Sequence, residues 1–361
     1  MQGGMQTTGG WLAMVYKKKV TLHDLADRLG LSVNTVSKAL RGDPGMSERT
    51  RRAVRELAES CGYYTKDQEQ ALLAERIPLY AAAPKRFALI HGEDQLSTQT
   101  RLIASGLIGK LSEFGHTLEL VSVLKRESLN ASFEEWVESC NLRYYDGFFI
   151  SSSIGGQLEK QLLSLTMPRV LINFPPPLAE VDSVIWDVGE AVFRAVLYLN
   201  RMGHENILYI GDCESKRGFR LRWQAFQNAM AELGKPIDPD THLTKMPKNA
   251  SSAAQEIAYR IKELNPTAVL STIVSNLNAV SKASHDADKL VPRDYSLVSL
   301  RYNEWNLYPN VSGPVLQIQE TGARAAERML WRLANPSRFY EHTLVRCGTF
   351  YAGETVSSNR K

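Results

Sequence analysis

A chain of 361 residues is longer than a single core usually grows, so two or three compact units are expected. Its 43% hydrophobic and 23% charged content is ordinary for a globular protein, and no apolar run approaches the roughly 18 residues of a membrane span, so no membrane partner is expected. The net charge of +4 is carried by residues 1–64, with ten Lys or Arg against six Asp or Glu, while the remainder is balanced; this suits a small module facing a polyanion, or a solvated basic face.

Residues 1–13 contain no Lys or Arg and so lack the basic segment of a secretory signal. Residues 1–19 read as a disordered tail, or as an over-extended start with initiation at Met14. Leu22, Leu25, Ala26 and Leu29 then recur at helical spacing. Thr21 caps that helix with Asp24 three residues on, and Gly30 permits the left-handed residue that ends it. Ser32 caps a second helix with Val33, Val36, Ala39 and Leu40 on its apolar side. A turn is forced over 42–45, and Ser47 caps a third helix over 47–60 with Val54, Leu57 and Ala58 facing inward.

Two short helices joined by a glycine turn, with a third closing the core, form a helix-turn-helix. Its second helix would enter the major groove, where Asn34 can bond adenine, Lys38 can reach guanine acceptors and Val33 can touch a thymine methyl. Thr21, Ser32, Thr35, Ser37, Ser47 and Thr50 stand at helix starts or beside the reader, where they either grip phosphates or serve only as caps.

The runs Val20-Thr21-Leu22-His23-Asp24-Leu25-Ala26 and Ser32-Val33-Asn34-Thr35-Val36-Ser37-Lys38-Ala39-Leu40 resemble the DNA-binding head of the LacI/GalR family of bacterial regulators. Met46-Ser47-Glu48-Arg49-Thr50 and Gly62-Tyr63 fall at that family's spacing. The resemblance implies a hinge helix that folds on the operator and wedges a leucine, here Leu72, into the minor groove. Thr65 and Lys66 stand where proline and asparagine are expected, however, and Glu69-Gln70 replaces an Ala-Arg pair. Asp67 and Glu69 would approach phosphates unfavourably, so this segment either docks differently or is a linker running to Pro84.

Beyond Arg86 the texture alternates. Strands are expected over 87–90, 118–123, 147–150, 169–172, 207–210, 268–271 and 296–299, with helices over 98–114, 133–140, 188–202 and 221–233. Strands separated by helices imply parallel sheets with a ligand cleft at the carboxyl ends of the strands. Met202-Gly203-His204, the run 291–296, and Gln317 with Gly322 and Ala325 resemble the family's periplasmic-binding-protein-like effector domain. The expected organisation is a tail (1–19), a small all-α head (20–64), a hinge (65–85) and an α/β effector domain of two Rossmann-like subdomains. The first subdomain takes 86–186 with 317–342, the second 187–316 with 343–361.

Position by position, the resemblance places the effector-gripping arginine at Arg222, with Arg220 two residues earlier, and a first-half acidic position at Asn173. Asp94, in the first strand–helix loop, is read as pocket lining. The family's Asn-Asp pair reads Ile273-Val274, with Asn276 or Asn278 as substitutes on a slipped register. Its Gly-Phe-Asp reads Ser299-Leu300-Arg301. Trp186, at the crossover, either stacks on a ligand or packs in the core. With Arg222 and Arg301 facing each other, the cleft suits a small anion or anionic sugar derivative; alternatively Arg301 pairs with Glu304 or faces solvent.

No Gly-rich phosphate loop, Gly-x-Ser-x-Gly or His-Glu-x-x-His occurs, and the seven histidines lack metal spacing, so no catalytic residue, metal or cofactor is expected. The scattered Cys61, Cys140, Cys213 and Cys347 fit free thiols in a reducing cytoplasm. The expected function is a transcriptional repressor with operator DNA, a small effector and a second copy of the chain as partners. A solute-binding protein for transport is the rival, and it would have a secretion signal and no reading head.

Overall fold

The computed structural model describes residues 20–43, 45–61, 63–65, 83–93, 95–123, 132–247, 249–302 and 310–359. The tail 1–19, Leu72 with most of the hinge, and Asp94 lie outside the described residues. Two compact units emerge, Met1–Arg76 and Ile77–Lys361.

In the first unit, α1 (Leu22–Leu29), α2 (Val33–Arg41) and α3 (Glu48–Ser60) each start on a local hydrogen-bond device. The Asp24 amide donates to the Thr21 hydroxyl at 3.3 Å while the Thr21 amide donates to the Asp24 carboxylate at 2.7 Å, a closed capping box. The amides of Thr35 and Thr50 donate to the hydroxyls of Ser32 and Ser47, each at 3.1 Å. Gly30 and Gly42 end α1 and α2 at φ 63° and 80°, conformations that cost a side chain strain. Leu25, Ala26, Val36, Ala39, Val54 and Ala58 form the core. It is small enough that losing the fully buried Leu25 to alanine would cost about 2–5 kcal/mol.

The second unit opens with β1 (Arg86–His91), α4 (Thr98–Ser112), β2 (Thr117–Ser122), α5 (Phe133–Ser139), β3 (Gly147–Ser151), α6 (Gly156–Ser164), β4 (Arg169–Ile172) and β5 (Asp182–Trp186). The chain crosses at Asp187 into α7 (Val188–Arg201), β6 (Ile207–Ile210), α8 (Arg217–Glu232), α9 (Ala250–Leu264), β7 (Ala268–Ser271), α10 (Leu277–Asp286), β8 (Ser296–Ser299), β9 (Arg301–Tyr302) and β10 (Gly313–Leu316). It returns through α11 (Ile318–Ala334) and β11 (His342–Val345), then crosses again to β12 (Phe350–Tyr351). The first lobe's sheet has six parallel strands in the order β11-β5-β4-β3-β1-β2. The second lobe has parallel β6-β7-β8, joined through a bridge between Val298 and Ser312 to the ribbon β9-β10-β12. Central strands such as β3 and β5 are buried throughout, which is why they read as unbroken runs in the sequence.

The boundary expected at 342/343 needs correction. Thr343, Leu344 and Val345 pair with Val184, Ile185 and Trp186, so the chain stays in the first lobe until after Val345. An edge strand can join a sheet with only one side buried, and its alternating exposure leaves little apolar signal. α11 packs closely on α4 because both helices present a glycine there. A Cβ at Gly106 would lie 1.9 Å from the Gln319 carbonyl oxygen, and one at Gly322 would lie 2.3 Å from that of Ile103. Among the described residues no helix is long and apolar enough to cross a membrane.

Candidate functional site

In the head, α2 has one buried and one exposed face. Val36 and Ala39 are buried on one side, which turns Asn34 and Lys38 outward as exposed residues, with Ser37 half-buried beside them. Val33 is half-buried and packs on the head core, so only part of it is available to a base. Thr21, Ser32, Thr35, Ser47 and Thr50 all take part in the capping bonds, and the hydroxyl pairs Ser32–Thr35 and Ser47–Thr50 close at 2.8 and 2.7 Å. Sequence reasoning missed Arg41, exposed one turn beyond Lys38 and paired with Asp43 at 3.2 Å. Helical spacing from Lys38 was the available signal.

The effector domain holds two adjoining chambers between its lobes. The larger, about 410 Å³, is lined by Glu93, Ser97, Thr98, Ile273, Val274, Ser275, Asn278 and Tyr302. The smaller, about 50 Å³, is lined by Ser152, Asn173, Phe174, Ile185, Trp186, Val188 and Gly218. Gln99, Lys216, Phe219 and Arg222 border both. The larger lies in the usual size range of small-molecule sites, roughly 300–1,000 Å³. Six of these side chains follow a strand: Ser152 follows β3, Asn173 and Phe174 follow β4, and Ile273 to Ser275 follow β7.

Of the expected effector residues, Asn173, Trp186 and Arg222 come together at the chambers. Asn278 lines the larger one beside Ile273 and Val274. Arg222 donates to the Thr272 carbonyl and lies 4.8 Å from the centre of the Phe219 ring. Burial pushes its guanidinium pKa down. Asn173 accepts from the Phe174 amide at 2.9 Å. Trp186 is both core and chamber wall, 4% exposed.

Arg301 requires a correction. It lines neither chamber, donates instead to the Val311 carbonyl, and lies over the Tyr351 ring at 4.0 Å. The reason is that residue 301 belongs to β9, which pairs with β10 through Val315. Successive strand residues face opposite ways, so Arg301 goes to the β12 side and Tyr302 to the cleft. Lys216, just ahead of α8, supplies the second cation that sequence reasoning sought at Arg301. It is exposed to the open cleft, yet crowded enough that desolvation lowers its pKa. Among the described residues no cluster of three or more His, Cys, Asp or Glu could hold a metal ion.

Residues 21–66 match the family model for bacterial regulatory proteins, lacI family, and residues 196–356 match that for the periplasmic binding protein-like domain. The HTH-type transcriptional regulator DegA of Bacillus subtilis (strain 168) is 24% identical over 288 residues, covering 78% of this chain and 81% of DegA. Catabolite control protein A of Priestia megaterium is 22% identical over 323 residues, covering 88% and 93%. Among solved structures, the transcriptional regulator CelR–cellobiose complex superposes with TM-score 0.63 at 19% identity, covering 93% of this chain and 99% of that one. The lac repressor dimer bound to operator and the anti-inducer ONPF gives 0.60 at 18%, covering 94% and 100%. With its capped helix-turn-helix and its two-lobed domain around a cleft, the chain belongs to the LacI/GalR family: it is a sequence-specific DNA-binding regulator with an effector-binding domain.

Proposed function

We propose that this regulator is a repressor that binds a near-palindromic operator as a homodimer and responds to a small effector bearing negative charge. Asn34, Lys38 and the free part of Val33 read bases, while Thr21, Ser32, Thr35, Ser37, Ser47 and Thr50 hold phosphates through hydroxyls and helix-start amides. Two heads then meet two half-sites about a two-fold axis. The lac repressor structure with which the chain superposes is itself a dimer on operator, which supports this assembly.

The observation behind the ligand's charge is Arg222. Its guanidinium is 8% exposed, has no carboxylate partner among the described residues, and leaves its Nε without an acceptor. A buried cation without a counter-charge is costly, and a ligand anion removes that cost. Lys216 adds a second cation with no ion pair among the described residues. The Glu93 carboxylate lines the same chamber, accepts from the amide and hydroxyl of Ser97 at 3.0 and 2.9 Å, and offsets part of the Lys216 charge, so the charge argument rests on Arg222. Asn173 and Trp186 complete the contacts, and closure of the lobes on the effector biases the spacing of the heads in the dimer.

Thermal-shift measurements with matched neutral sugars, sugar phosphates and small carboxylates test this reading. The anions should raise Tm in the wild type and not in Arg222→Gln, whose ligand-free operator affinity should be retained. A rise in Tm with neutral sugars alone would refute the charge assignment.

A further inference from the structure

The charged end of the effector accounts for Arg222 and Lys216 but leaves the smaller chamber unassigned. We infer that the effector is an amphipathic carboxylate, in which a flat apolar ring occupies the smaller chamber and bears one hydrogen-bond acceptor for Trp186, while its acid group lies at Arg222 and Lys216. This rests on the reading of the cleft as the effector site and narrows its ligand class.

The two chambers differ in chemistry. Phe174, Ile185, Trp186, Val188 and Phe219 surround the smaller one, and no carboxylate among the described residues lines it. Its aromatic walls come from both lobes, Phe174 after β4 and Phe219 from α8. Phe174 packs against the start of α8 where Gly218 has no side chain: a Cβ there would lie 3.2 Å from Phe174 Cε2. Polar groups in this chamber are partly committed, since Gln99 Nε2 donates to Ser152 Oγ at 2.6 Å and Asn173 Oδ1 accepts from Phe174. A polyol placed here would leave hydroxyls without the carboxylate acceptors that sugar sites use, whereas a flat ring can stack on Phe174 and Phe219.

A second observation points to the acceptor. The Trp186 indole N–H is buried and has no hydrogen-bond partner. Buried donors in native proteins are nearly always satisfied, so an orphan on the wall of a ligand chamber marks a bond completed by the ligand. The cations, the aromatic walls and this single donor lie along one continuous cavity, because Lys216, Phe219 and Arg222 border both chambers.

The test uses the full-length protein and calorimetric titration with benzoate, the three hydroxybenzoates, benzamide, gluconate and glucose. Benzoate should bind while benzamide and glucose do not, and at least one hydroxybenzoate should bind about tenfold more tightly than benzoate. Trp186→Phe keeps a ring in place and should erase that tenfold advantage, so that this variant binds the hydroxybenzoate no more tightly than it binds benzoate. Phe219→Ala, at a half-buried site, should weaken all the aryl acids in parallel. Binding of gluconate without any aryl carboxylate would overturn this inference and leave the negative-charge reading standing. Binding of glucose alone would overturn both, and silence from every aryl carboxylate would overturn the ring assignment.

Discussion

Glu159 of α6 and Arg217, the first residue of α8, form a 2.7 Å ion pair that ties the two lobes together beside the effector chambers. The Glu159 side chain is 2% exposed, and the same carboxylate oxygen lies 3.5 Å from Asn173 Nδ2. Arg217 Nε also donates to the Phe174 carbonyl at 2.7 Å. The pair is therefore joined to two residues of the smaller chamber. Parting the lobes would strand a buried carboxylate, so the pair favours the closed arrangement.

Arg217→Met should accordingly destabilise the effector domain by about 2–4 kcal/mol. That is below the ~3–5 kcal/mol of a fully buried pair, because Arg217 is 31% exposed and water screens its side. Adding Glu159→Gln should recover part of the loss. Urea unfolding of the wild type, both single variants and the double variant gives the coupling energy, and a value under about 0.5 kcal/mol would show that the pair does not hold the lobes.

At the DNA face, Lys38→Ala should lower discrimination between the operator and a scrambled duplex by about 1–3 kcal/mol, because Lys38 is exposed and free to reach a base edge. Thr35→Ala should weaken both duplexes about equally, since its hydroxyl is paired with that of Ser32 at 2.8 Å at the helix start, where hydroxyls and amides can hold a phosphate. Gel-shift titrations at fixed salt separate the two. Unchanged discrimination in Lys38→Ala would remove it as a reader.

Acid should destabilise the second lobe through His242. Its ring is buried beside Trp223 and Phe226, and Nδ1 accepts from the Tyr209 amide at 3.2 Å. Desolvation by that burial drives its pKa down to about 4. The unfolded chain then binds a proton near the ordinary histidine pKa of about 6.5 that the native state refuses. Stability from this group is full above about pH 6.5 and falls as pH drops toward 4, by about 3 kcal/mol across the window. Chemical denaturation at pH 7.5 and 4.5 should show a smaller difference in His242→Gln than in the wild type; equal differences would assign the acid response to other groups.

The strands 169–172, 207–210, 268–271 and 296–299 have the bounds that their apolar runs suggest, because strands covered on both faces leave an unbroken hydrophobic signature. Helices α6 and α9 give a weaker signal. In α6 the buried Glu159 interrupts the apolar stripe of Leu158 and Leu162, since its charge is compensated by Arg217 from the other lobe. In α9 the buried face is largely alanine, at Ala253, Ala254 and Ala258, and such small side chains make a faint stripe.

The head was determined by the sequence alone. Thr21 with Asp24, Ser32 with Thr35, Ser47 with Thr50, and the left-handed Gly30 and Gly42 act over three or four residues, so the information that sets each helix end lies beside it in the chain. The effector cleft was only partly legible. Asn173 and Trp186 stand at strand ends and Arg222 was placed by the family resemblance, but Lys216, Phe174, Phe219 and Tyr302 join them through contacts between distant segments. Tertiary structure alone decided between Arg301 and Tyr302: pairing of β9 with β10, residues apart in sequence, sets which of two neighbours faces the cleft, and a strand's two faces are equivalent until its partners are in place.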